Sequence, residues 1–233
     1  MTALALLLAS MVPAADKEPA PEKLWVYIGT YTGEKSKGIY LLELDLATGK
    51  LTSRGLAGEL THPSFLAIHP NHRFLYAVTE VSDIGDKKTG AVAAFAIDAK
   101  TGKLKLLNKQ STGGTGPCHV IVDKKGKNVL AANYGGGSAC SIPIQEDGSL
   151  GKATAVKQHK GSSVNKARQE GPHAHSINLD PANRFAFVAD LGLDKVMIYK
   201  FDPAKGTLTD NDPPSVSVTP GSGPRHFAFH PSG

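Results

Sequence analysis

Apolar positions cluster in short runs, and the runs return at a regular spacing. Four of them open on a proline, at Pro63, Pro117, Pro172 and Pro224, with intervals of 54, 55 and 52 residues. Each run ends in a polar turn: Asn71-His72-Arg73, Lys124-Lys125-Gly126, Pro181-Ala182-Asn183, and finally Pro231-Ser232-Gly233. An apolar stretch follows each of the first three turns, at residues 74–78, 129–132 and 185–189. These stretches are apolar on both faces, as strands covered on both sides must be. A third run follows at 91–97, 139–144 and 196–201. A turn of the form Asp-x-x-Thr-Gly-Lys-Leu comes next, at 45–51 and 98–104, with variants at Asp147-Gly148 and Lys205-Gly206. It leads into a more polar fourth run such as 104–107. Asp and Gly between β-type runs is hairpin chemistry.

Four antiparallel strands in a repeat of about 50–55 residues describe a β-propeller blade. Inner strands lie between neighbouring blades and the outermost strand meets water, which accounts for its lysines. The fold expected is all-β, with no amphipathic helix of useful length. Residues 25–29 match the second strand of a unit and 39–44 the third, so the first blade lacks its innermost strand. The count is that partial blade, three whole blades and one lone first strand after Pro224. A closed four-bladed ring is disfavoured, because the last turn elsewhere leads directly into another strand. An open arc of about four blades is the expectation, over residues 24–233.

Composition narrows the possibilities. The 233 residues are 40% hydrophobic, with 25 glycines and 15 prolines, which suits a packed chain that turns often. The net charge is +5. No basic run alternates with aromatics, so nucleic acid is not an expected partner; anionic small molecules fit the charge as well. Leu4, Leu6, Leu7, Leu8, Met11 and Val12 form an uncharged stretch too short to span a bilayer. Small residues end it, so 1–15 reads as a signal peptide and 16–23 as a linker. The periplasm or secretion is the expected destination, with the cytoplasm as the alternative. Cys118 and Cys140 fall two strands apart, beyond disulfide reach, and are expected to be free.

Positions just after the aligned prolines face the propeller channel. They bring together Ser64, His119, His173, His175, Arg225 and His226. Hydrolytic chemistry needs a base active near neutral pH and a donor for a developing oxyanion. Histidine suits the first task and arginine the second. Alternation puts His173 on the face of His175. Second strands end near Glu80, Asn133 and Asp190, which are placed to cap strands or to meet a ligand. Zinc is compatible with the histidines, but no carboxylate or thiolate is clearly placed among them, so no metal and no other cofactor is expected. A basic insertion, residues 157–169, precedes Glu170 and reads as a lid over the channel or a partner surface.

Several motifs, in order, resemble the propeller lactonase family: residues 27–31, 74–78, 132–134, 173–176, 190–192 and 223–226. The resemblance runs from about Lys23 to the end. It implies a seven-bladed propeller of which about three blades are absent here. It also implies metal-independent hydrolysis of a sugar-derived lactone, 6-phosphogluconolactone to 6-phosphogluconate in bacterial members; a fungal relative cycloisomerises carboxymuconate. It points to His175 and Arg225 as catalytic residues; the repeat positions add His173, His119, His226, Glu170, Asp190 and Asn133 as substrate-binding candidates. It further implies a family glutamate just past Gly233, which would leave the constellation incomplete in this chain. A non-catalytic binding module is the alternative from another class. Oligomeric state is not legible.

Overall fold

The computed structural model describes residues 22–230, and these form fifteen strands and no helix. The expected signal peptide, 1–15, and most of the expected linker, 16–23, lie outside the described residues. Blade 1 has three strands, β1 (Lys23–Ile28), β2 (Gly38–Asp45) and β3 (Leu51–Glu59). Blade 2 holds β4 (Leu66–Ile68), β5 (Phe74–Thr79), β6 (Ala91–Ile97) and β7 (Leu104–Ser111). Blade 3 holds β8 (Pro117–Val122), β9 (Asn128–Asn133), β10 (Ser138–Pro143) and β11 (Ala155–Gln158). Blade 4 holds β12 (Ala174–Leu179), β13 (Phe185–Asp190), β14 (Lys195–Asp202) and β15 (Thr207–Ser217). Every pairing is antiparallel between chain neighbours, and blade 1, with β1 in the place of a second strand, is the unit without a first strand that the repeat predicts.

The blades follow one another in an arc, β4 beside β8 and β8 beside β12. Alternation along the second strands divides the core. Tyr76 and Val78 pack with Val120, Val129 and Cys140 of blade 3, whereas Leu75 and Ala77 pack with Ile39 and Leu60 of blade 1. Leu130 and Ala132 turn the other way, onto Ile177, Val188 and Tyr199 of blade 4. Each fully buried aliphatic side chain here stabilises the arc by about 1.5–3 kcal/mol. Polar pins cross the same seams: Tyr27 donates to the carbonyl of Gly102 at 2.8 Å, and Tyr76 to that of Gly148 at 3.0 Å. Both glycines sit in the Asp-Gly turns at positive φ, which is why the turn requires them.

One expected element is absent. Residues 224–229 run without a strand ladder. An inner strand pairs only with the second strand of its own blade, and no such partner for this segment lies among the described residues. Phe227 and Phe229 pack edge-on against Phe187 instead.

Candidate functional site

The inner ends of the blades surround a cavity of about 410 Å³, within the range of small-molecule pockets. Its wall includes Ser64, Glu80, Cys118, Tyr134, His175 and Arg225, with Tyr31, Phe65, Arg168 and His226 around them. The register explains this set. In β8 the pairing slips between Pro117 and His119, and in β12 between Ala174 and Ser176. Cys118 and His175 are therefore the extra residues of equivalent β-bulges, and a bulge re-aims the side chain that it carries. His175 occupies the position that Ser64 and Cys118 hold in their blades, two residues later after the proline than the repeat alignment places it.

His173 consequently does not share the face of His175. It stacks on Tyr134 at 4.6 Å, donates from Nδ1 to the Tyr134 carbonyl at 3.0 Å, and meets Glu170 at 3.2 Å. Glu170 itself is 62% exposed and outside the cavity wall. A one-residue offset also separates Glu80 from Asn133 and Asp190. Thr79, Asn133 and Asp190 are equivalent in register, while Glu80 and Tyr134 come one residue later and so face the cavity. Asn133 is fully buried and donates to Ser138 at 2.9 Å. Asp190 is fully buried too, accepting from His159 at 2.6 Å and from the backbone of His173 at 2.8 Å. His119 lies beneath the wall, 4.2 Å from Phe65, and accepts the Ile177 N–H at 3.3 Å. Burial first, then His226 and His175, press its pKa down to about 3, so it is a neutral packing group.

At the centre, Arg225 donates its Nε–H to His175 Nε2 at 2.9 Å. An arginine Nε can only donate, so the His175 lone pair is on Nε2 and faces the cavity. Burial and then the Arg225 charge hold His175 below the ordinary histidine pKa, and His226 adds to this from 5.0 Å. The imidazole is thus neutral near pH 7. On the opposite wall Glu80 accepts from Tyr31 at 2.8 Å and from Ser64. Burial, then the Glu80 charge, pushes the Cys118 thiol up to about 12, which removes it as a nucleophile. Cys118 and Cys140 are both free. Among the described residues no set of three His, Cys, Asp or Glu side chains converges as metal ligands.

The sequence reading missed Arg168 as a cavity residue, and Tyr31 and Tyr134 with it. It also missed Asp194, which accepts from Ser163 at 2.5 Å, Gly221 at 2.6 Å and Gly223 at 2.7 Å. That carboxylate ties the 159–173 connection to the segment that delivers Arg225. Its signal was faint: one Asp in a Leu191-Gly192-Leu193-Asp194 turn, held at a φ of 53°.

A neutral imidazole paired with a guanidinium lies at the hub of this bladed all-β fold. A family described as "Lactonase, 7-bladed beta-propeller" matches residues 25–233, and the chain belongs to it. The chain is 40% identical over 205 residues to a 6-phosphogluconolactonase of Bacillus subtilis, covering 88% of this chain and 56% of the relative. Among solved structures it is similar to a putative 6-phosphogluconolactonase from Bacteroides fragilis, with a TM-score of 0.85 and 37% identity over 93% of this chain and 61% of that one. A periplasmic gluconolactonase from Pseudomonas aeruginosa gives 0.82 and 32%, over 91% and 60%. The chain thus spans just over half the length of the curated relative.

Proposed function

We propose that this chain carries the histidine–arginine part of a lactone hydrolase site acting on a sugar-derived lactone, 6-phosphogluconolactone being the leading substrate. The observation that carries the reading is the 2.9 Å contact from Arg225 Nε to a neutral His175 inside a small-molecule cavity. Substrate entry moves the Arg225 donor from His175 to the lactone carbonyl, which frees the Nε2 lone pair. His175 then takes a proton from water as the water oxygen bonds to the carbonyl carbon, and Arg225 holds the developing oxyanion. Collapse breaks the bond from that carbon to the ring oxygen. The imidazolium returns its proton to that oxygen, and the open hydroxy acid leaves. No step needs a metal.

A second reading, hydrolysis of an unphosphorylated gluconolactone after export, is favoured by the signal-like residues 1–15 and by the periplasmic neighbour. Among the described residues no helix is long and apolar enough to cross a membrane.

Hydrolysis followed with a pH indicator tests the mechanism. His175→Ala lowers kcat by about 100-fold or more, the contribution of a positioned base. The active imidazole is neutral, so activity rises with pH through the lowered His175 pKa and is flat near neutrality. Arg225→Gln removes the cation that depresses this pKa, so the acid limb moves to higher pH while the rate falls. An unchanged rate in His175→Ala removes the reading.

A further inference from the structure

The connection from β11 to β12, residues 159–173, is far longer than 60–65 and 112–116, which make the same link between the other blades. It is also pinned at three points to one stretch of blade 4. His159 bonds Asp190 with both side chains fully buried, Ser163 bonds Asp194, and buried Gln169 donates to the Leu191 carbonyl at 2.9 Å. Within the loop, Asn165 accepts from the N–H groups of Ala167, Arg168 and Gln169, which closes a tight turn around Arg168. This effort of fastening delivers one side chain to the cavity, that of Arg168. The same residue also lines a neighbouring hollow of about 160 Å³ beside Gly221, Ser222 and Gly223.

Arg168 makes no ion pair with any described residue. The carboxylates near it are already engaged, Glu80 with Tyr31 and Ser64, Glu170 with His173. The cavity therefore holds two guanidinium groups against one carboxylate, and one of the two, Arg225, is occupied at the reacting centre. Arg168 is exposed and its charge reaches Glu170 without a contact ion pair, and a guanidinium so placed beside a pocket is suited to a bidentate anion.

We infer that Arg168 is a specificity-determining residue that grips an anionic substituent of the lactone, a phosphate ester at the end remote from the ring carbonyl. This rests on the lactonase reading and selects between its two substrates. The long connection is then a substrate-reading loop that an unphosphorylated lactone does not need.

The test measures binding of 6-phosphogluconate, gluconate and glucarate to the full chain by calorimetry, alongside hydrolysis of phosphorylated and unphosphorylated gluconolactone. In Arg168→Gln the preference for 6-phosphogluconate over gluconate collapses about ten- to hundred-fold, the worth of a charge-assisted contact. Arg168→Lys recovers part of it, because the charge stays and the fork is lost. Lys205→Gln, an equal charge removed from a distant turn, leaves the preference intact. A preference unchanged in Arg168→Gln overturns the inference, and so does an equal loss for both ligands. If glucarate binds as well as 6-phosphogluconate, the phosphate assignment fails and a carboxylate replaces it. Selective binding without hydrolysis would leave Arg168 standing while the lactonase reading falls, so the two failures are separable.

Discussion

Asp194→Asn isolates the carboxylate that joins the two arginine-bearing segments. The residue sits at a φ of 53°, which asparagine adopts with little strain, so the backbone is spared. Burial alone would raise this carboxyl. The hydrogen bonds from Ser163, Gly223, Gly221 and Gln169 outweigh that and hold its pKa at about 2, against 3.8 unperturbed. The side chain is 3% exposed, so solvent screens little of the effect. At 1.36 kcal/mol per pKa unit the depression corresponds to about 2 kcal/mol of folding free energy. For a domain of this size that is a fall in Tm of about 5 °C at pH 7. The sign follows from a depressed acid: the contribution is complete above the unfolded value near 4 and is lost as pH falls towards 2. Thermal melts of the wild type between pH 4 and 2 therefore include a slope that Asp194→Asn lacks. Because Ser163 and the Gly221–Gly223 turn lose their common anchor, affinity for 6-phosphogluconate also drops about tenfold. Melting temperatures within 1 °C of each other, with the same acid slope, would refute the assignment. A lowered Tm with undiminished affinity would make Asp194 a structural residue without a positioning role.

Burial pushes the thiols of both Cys118 and Cys140 up to about 12, so neither reacts appreciably with a thiol reagent at pH 8 in the folded protein, and both react in guanidinium; rapid native labelling of Cys118 would contradict its placement. A Cβ on Gly192 would stand 1.8 Å from the Gly171 carbonyl oxygen and 2.9 Å from the His173 nitrogen, whereas one on Gly171 meets nothing within 4 Å. Gly192→Ala is thus expected to cost about 1–3 kcal/mol in denaturant melts, with Gly171→Ala within about 0.5 kcal/mol of wild type; equal stabilities would show that this close approach is not needed.

The alternation of apolar runs, the proline-led repeat and the Asp-Gly turns were sufficient for the blades, since hydrophobic period and turn chemistry act within a few residues. They placed β6 at its observed bounds and β1 as the second strand of an incomplete unit. The resemblance to the lactonase family, rather than any local pattern, singled out His175 and Arg225, which the fold brings within 2.9 Å of each other. What no local pattern could supply was register. A bulge shifts every later side chain relative to the channel, so tertiary pairing alone turned His175 inward and His173 onto Tyr134. A single residue of offset likewise put Glu80 in the wall and buried Asn133 and Asp190. Arg168 and Asp194 lie 26 residues apart on a loop and a turn, and only packing against blade 4 ties the loop that carries one to the turn that holds the other. The chain's own pattern decides which segments become strands; which side chains meet at the hub depends on how those strands slip past each other, and that is settled between segments.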